Sequence, residues 1–112
     1  MGYNPVLQFV GKEPVGFGST TYAWAGTADA KQVCVANYSG GGLKVDLKFN
    51  WRVAGVSLQV GYGGMVIDTI NLNTISTLGV LKTYYLPANT PLTLKPTTST
   101  TATIPIQQKV YL

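Results

Sequence analysis

The chain contains no histidine and a single cysteine, Cys34, in 112 residues. The first absence removes the side chain most used as a general base, as the partner of a serine nucleophile and as a metal ligand. The second removes disulfides within the chain, zinc sites of the Cys/His type and a cysteine–histidine nucleophile. Cys34 stands in the apolar alternation Gln32-Val33-Cys34-Val35 and reads as a buried, inert thiol, with an intermolecular bridge as the minority option.

Charge is also scarce. Charged residues make up 11% of the chain, less than half the share of about 25% in an average soluble domain. The acids are Glu13, Asp29, Asp46 and Asp68. A glycosidase needs two carboxylates facing across a cleft. Asp46 and Asp68 would meet only if their strands paired, and each reads as an ordinary sheet-face charge. Clustered carboxylates for calcium are missing. The glycine runs Gly40-Gly41-Gly42 and Gly61-Tyr62-Gly63-Gly64 lack the Lys-Ser/Thr ending and following helix of a phosphate loop. The expectation is a protein that is not an enzyme and holds no cofactor or metal.

The eight basic residues exceed the four acidic ones, for a net charge of +4, but no run of Lys or Arg occurs. Nucleic-acid binding usually needs a basic patch or stripe, so no nucleic-acid partner is expected. Lys44, Lys48 and Arg52 share one strand face and read as a solvated sheet surface. No stretch approaches the ~20 apolar residues of a transmembrane helix, so no membrane partner is expected. The start Met1-Gly2-Tyr3-Asn4-Pro5 does not read as an export signal, and the myristoylation pattern suggested by Gly2 fails at Val6.

Helical periodicity is nearly absent. One short turn is plausible around Thr27 to Lys31, capped by Thr27 or Asp29, and another around Thr74 to Leu78. What the chain does have is β-patterning. Leu43, Val45, Leu47, Phe49, Trp51 and Val53 alternate with Lys44, Asp46, Lys48, Asn50 and Arg52, one face for a core and one for water. At about 3.3 Å per residue such a strand would span roughly 36 Å and needs a second layer to cover its apolar face. Trp51 falls in the core register. Further strands are read at Val6–Val10, Thr20–Trp24, Gln32–Tyr38, Val56–Val60, Met65–Leu72, Gly79–Leu86, Leu92–Lys95 and Gln107–Leu112, separated by Gly, Pro and Asn turn chemistry. Pro105 confines Ile104 to Ile106 to an edge or a strand end. Without crossover helices, parallel architecture is excluded. The fold expected is all-β: an antiparallel β-sandwich, jelly-roll-like, of about eight short strands. Residues 1–18 read as an N-terminal arm or irregular first strand, and residues 19–112 as one sandwich domain.

Binding features are softer. Trp24 and Tyr22 share a face and read as core more readily than as a sugar platform. Tyr62, at a Gly-bounded tip, is the best exposed aromatic, and one of Tyr84 and Tyr85 must point outward. The N-terminal segment carries apolar Val6, Leu7, Phe9, Val15 and Phe17 punctuated by Pro5 and Pro14, as an arm lying on a partner would.

In low charge, Thr/Gly/Tyr-rich surface, strand count and C-terminal strand Gln107–Leu112, the chain resembles the small decoration, or cement, proteins of tailed-phage capsids. The resemblance covers the whole chain by its traits. It implies a structural protein of the virion with a binding edge and no active site. It further implies contacts to the major capsid protein or other coat subunits, and homo-oligomers on the shell. An archaeal virus coat component would look similar. The contact residues expected are Tyr3, Val6, Phe9 and Phe17 in the arm, Tyr62 at its turn, and Val110 and Tyr111 in the last strand. Two alternatives remain open: a lectin-like carbohydrate-binding module using Tyr62, Trp24 or Tyr85, and a self-assembling fibre subunit that donates an edge strand.

Overall fold

The computed structural model describes residues 14–35, 43–87 and 90–111, with the backbone alone at residues 14–17, 34–35 and 43. Eight strands follow one another: β1 (Pro14–Ala23), β2 (Lys31–Val35), β3 (Leu43–Phe49), β4 (Ser57–Tyr62), β5 (Met65–Asn71), β6 (Val80–Leu86), β7 (Pro91–Pro96) and β8 (Thr103–Tyr111). They form two four-stranded antiparallel sheets, ordered β1-β8-β3-β6 (sheet 1) and β2-β7-β4-β5 (sheet 2). No helix occurs among the described residues.

The pairing follows a simple rule. β1 pairs with β8, β2 with β7, β3 with β6 and β4 with β5. That is a single long hairpin whose middle is the β4–β5 turn. Rolling the hairpin up adds the β3–β8 and β4–β7 contacts and closes a jelly roll. The expected sandwich is the fold observed, including its jelly-roll character. Only β4–β5 is a hairpin within one sheet; every other connection crosses between the sheets. Gly63 and Gly64 make that turn at φ 58° and 80°. Positive φ at both central residues is what a two-residue hairpin turn with the right twist requires, and glycine adopts it without strain.

Alternation explains the core. Val45, Leu47 and Phe49 of β3, Ile104 and Ile106 of β8, and Tyr84 and Leu86 of β6 line the inner face of sheet 1. Leu58 and Val60 of β4, Leu92 and Leu94 of β7, and Ile70 of β5 answer from sheet 2. Each fully buried side chain of this kind contributes about 1.5–3 kcal/mol. Tyr22 and Trp24 join them as expected. Trp24 satisfies its indole by donating to the Asp29 carbonyl at 2.8 Å.

The prolines fit the ladders. β7 and β8 are both central strands, where a missing N–H would break a bond. Pro91 and Pro105 lie where their strands have a neighbour on one side only, opposite Val35 and Thr21 respectively. Pro96 is likewise one-sided, opposite Leu58. Ile104–Ile106 and Gln107–Tyr111 are therefore one strand, with Pro105 in its one-sided end.

Two strand readings need correction. The long strand from Leu43 to Val53 ends at Phe49. Past Phe49 β6 runs out, because it begins at Val80 opposite Phe49, and β3 has already left β8, which pairs with it only as far as Lys48 while continuing to Thr103 beside β1. The chain turns away instead and is pinned to Asn73, which accepts from Arg52 Nε at its carbonyl (2.9 Å) and from the Gly55 N–H at its side chain (3.0 Å). Trp51 is thus half exposed rather than core. The second correction concerns Gly61-Tyr62-Gly63-Gly64, of which only the last two form the turn. The turns read around Thr27 and Thr74 are not helical. Thr27 forms a bridge with Thr100 and donates its hydroxyl to Asp29, and Ser76 closes a tight turn onto Gly79.

Candidate interaction surfaces

Two surfaces stand out, and both follow from the strand order. The first is the flank where β5 and β6 lie. Among the described residues each is the last strand of its sheet, so each leaves one row of backbone groups without a strand partner there. The two strands are tied across the sandwich. Tyr84 donates its hydroxyl to Asp68 Oδ2 at 2.7 Å, and Lys82 Nζ stands 3.9 Å from the same oxygen. Burial, and then the hydrogen bond and charge of Asp68, push the Tyr84 phenol well above its ordinary range. A register shift between Val60 and Gly61 leaves Ile67 as an extra residue on β5. A bulge and inward-pointing charges both blunt an edge against adding a strand from another chain.

Apolar side chains are nonetheless exposed here. Met65 is 60% exposed and Val66 56%, with Ile67 next in the chain, and Leu78 and Val80 are exposed in and after the β5–β6 connection. The bulge is the reason: it breaks the two-residue period, so Met65, Val66 and Ile67 in succession all reach solvent. The backbone is tight at this point, since a Cβ on Gly61 would meet the Met65 carbonyl oxygen at 2.6 Å.

The second surface is the outer face of sheet 1. The register sets Lys44 opposite Tyr111, Asp46 opposite Lys109 and Lys48 opposite Gln107. Asp46 is held from two sides: Thr83 donates to Oδ1 at 2.7 Å and Tyr111 to Oδ2 at 3.0 Å. Lys44 Nζ lies 4.5 Å from the centre of the Tyr111 ring and Lys109 Nζ 5.5 Å, within cation–π range. A shallow depression of about 780 Å³ opens on this face, with Asp46, Lys48, Gln107 and Lys109 on its floor and Ser19 and Leu81 at its rim.

The residues singled out by the sequence scatter over the fold. Tyr3, Val6 and Phe9 lie outside the described residues. Phe17 belongs to β1 opposite Lys109, its side chain outside the description. The reading of Cys34 as buried likewise falls on a side chain outside the description. Tyr62 is not an exposed tip: it ends β4, half-buried and packed against the core, because the turn begins one residue later. Val110 also packs on the core, while Tyr111 faces outward beside Asp46. Trp24, offered for sugar stacking, is 2% exposed and cannot serve. Tyr84 is buried and Tyr85 exposed, as their opposite faces require. Asp46 and Asp68 lie in different sheets and do not form a pair. Among the described residues no three of His, Cys, Asp and Glu stand together to hold a metal ion, and no helix is long and apolar enough to cross a membrane.

Sequence reasoning missed the β5 edge. The signal was present: Met65-Val66-Ile67 is a run of three apolar residues beside a glycine turn, which simple alternation does not explain. No protein-family model, curated protein or solved structure matches this chain.

Proposed function

We propose that the chain is a structural protein of a virus shell, a decoration or cement subunit that bridges coat subunits through its β5/β6 flank. The observation that carries this reading is the exposed Met65-Val66-Ile67 run on an edge strand of the sandwich. Monomeric soluble proteins rarely leave contiguous apolar patches exposed without using them. The flank is also electrically quiet, because Asp68 and Lys82 offset each other. A chain of net charge +4 can therefore meet another surface there without its own charge opposing the approach. Jelly rolls build viral coats and lectins alike, so the fold agrees with the reading by analogy only. Side-chain packing, rather than strand addition, is the mode the bulge and inward charges favour. Many copies on a symmetric lattice gain avidity from individually modest contacts.

The test is co-sedimentation of the protein with empty shells of the virus that encodes it. Wild type is expected to pellet with the shells, and Val66→Lys and Met65→Lys to stay in the supernatant while keeping the wild-type melting temperature. Pelleting unaffected by either substitution would remove the flank from the interface. No pelleting of the wild type would overturn the decoration reading altogether.

A further inference from the structure

The outer face of sheet 2 is interrupted at Gly61. Leu58 and Val60 of β4 and Leu92 and Leu94 of β7 point into the core, so Gln59, Gly61, Thr93 and Lys95 face outward. The register sets Gln59 opposite Lys95, and Gly61 between Thr93 of β7 and Val66 of β5. Gly61 brings no side chain to that row, and a niche of about 260 Å³ opens over it. Met65 and Val66 wall it on the β5 side, Thr93 and Lys95 on the β7 side, with Gln59 next along β4. No side chain at position 61 could close the niche, because a Cβ on Gly61 would meet the Met65 carbonyl oxygen at 2.6 Å.

The two walls differ in chemistry. Met65 and Val66 are apolar, and both are more than half exposed. Across from them the Thr93 hydroxyl donates to the Gly61 carbonyl at 3.2 Å, so it offers only lone pairs to an occupant. Lys95 and the Gln59 amide supply the donors. Among the described residues neither of these side chains takes part in an ion pair or a hydrogen bond. Asp29 and Lys31, on either side of Ala30 at the rim, are paired with each other at 3.1 Å. Size narrows the occupant further. The niche falls below the roughly 300–1,000 Å³ of sites for drug-sized ligands, which leaves room for one side chain and not for a sugar chain or a large cofactor.

We propose that the niche receives one aromatic side chain of a partner, followed in the partner's chain by an acidic residue that pairs with Lys95. In taking that partner to be a shell subunit, the proposal rests on the reading of the β5/β6 flank given above. The ring lies on the Gly61 backbone with Met65 and Val66 against it, since a glycine within a strand lets another group approach the backbone closely. Aromatic residues and arginine are the usual anchors of interfaces, and Lys95 repels arginine. The carboxylate accepts from Lys95 and Gln59, which complements a charge that the described residues leave without an acid. Niche and exposed run share Met65 and Val66, so one loop of the partner covers both.

The test is an NMR titration of the full chain with blocked dipeptides, read at the backbone amides of Gly61, Val66 and Thr93. Acetyl-Phe-Glu-amide is expected to shift them with a dissociation constant of about 1–10 mM. Acetyl-Phe-Gln-amide, which lacks the charge, is expected to bind about threefold more weakly, as a solvated ion pair allows. Acetyl-Ala-Glu-amide, which lacks the ring, is expected not to saturate. K95E is expected to bind acetyl-Phe-Lys-amide more tightly than acetyl-Phe-Glu-amide, whereas K48Q, on the outer face of sheet 1, is expected to keep the wild-type order. Absent shifts at these amides, equal affinity for the Glu and Gln dipeptides or for the Phe and Ala ones, or an unchanged order in K95E would each overturn the proposal. Tighter binding of acetyl-Phe with a free carboxyl group would overturn it in favour of a partner's C-terminus. Co-sedimentation separates this proposal from the flank reading. K95E is expected to pellet with shells less than wild type. If it pellets fully while Val66→Lys does not, the flank stands and the niche falls. Wild type that fails to pellet, with the dipeptide order as expected, overturns the shell as partner and upholds the niche.

Discussion

The two flanks of the sandwich solve one problem in different ways. Among the described residues both end in edge strands: β1 and β2 on one side, β5 and β6 on the other. Along β1 the exposed side chains among those described are small or polar, Gly18, Ser19, Thr20, Thr21 and Ala23, and β2 presents Lys31 and Gln32. The apolar weight of that flank, Tyr22 and Trp24, is turned into the core. On the opposite flank the charges point inward and the apolar residues outward. The lesson is that an edge can be protected against strand addition and still be adhesive. Backbone pairing is discouraged by the Ile67 bulge and the Asp68–Lys82–Tyr84 cluster, while Met65 and Val66 stay free to pack.

This contrast can be broken by substitution. The largest effect is expected at Trp24. Trp24→Ala empties a buried site and should cost about 3–5 kcal/mol in urea unfolding, whereas Ile67→Ala on the other flank should cost well under 1 kcal/mol. Similar losses at the two positions would erase the distinction.

Next in size is Tyr84→Phe, which takes from Asp68 Oδ2 its hydroxyl donor. About 1 kcal/mol is expected once the partial exposure of Asp68 is allowed for. The pH dependence follows from the raised Tyr84 phenol. The folded state holds the neutral form, so this stability is complete below the ordinary tyrosine pKa of about 10. It falls above that, because the unfolded chain loses its proton first. The gap between wild type and Tyr84→Phe should be flat from about pH 6 to pH 9 and should shrink in stronger alkali. A gap that widens there would refute the assignment.

Smaller still is Gly63→Ala. Its left-handed φ of 58° should make the substitution cost about 1 kcal/mol or less, read as a shift in thermal midpoint. Lys31→Gln lies at the bottom of the scale. The Thr27 hydroxyl and then Lys31 hold the Asp29 carboxyl below its usual range, but both partners of the Asp29–Lys31 pair are solvated. Melting should be unchanged.

Much of the fold was legible in the residues because alternation is a direct imprint of a half-buried sheet. Val45, Leu47 and Phe49 announced β3, and the run Gly61-Tyr62-Gly63-Gly64 announced a turn, though not which two of its residues make it. Where β3 stops was not legible. Trp51 and Val53 continue the pattern, and only the start of β6 at Val80 and the parting of β3 from β8 after Lys48 leave them without strand neighbours. The bulge at Ile67 was equally hidden, since it depends on how β4 and β5 meet. The candidate surfaces were less readable than the core. Asp46, Lys48 and Lys109 looked like unrelated sheet charges because two of them lie on β3 and one on β8, far apart in sequence and adjacent only after the chain has rolled up.

The strand order has a consequence for how the protein is made. β8, the last of the eight strands in chain order, is not an edge but sits between β1 and β3. Sheet 1 therefore stays split until Thr103–Tyr111 has been made, and until then the nascent chain carries β1 and β3 with open sides. Pairing of such distant segments is slow. A stop codon placed before Thr103 would not trim this protein but remove a middle stave, leaving Val45 and Leu47 with no neighbour on that side.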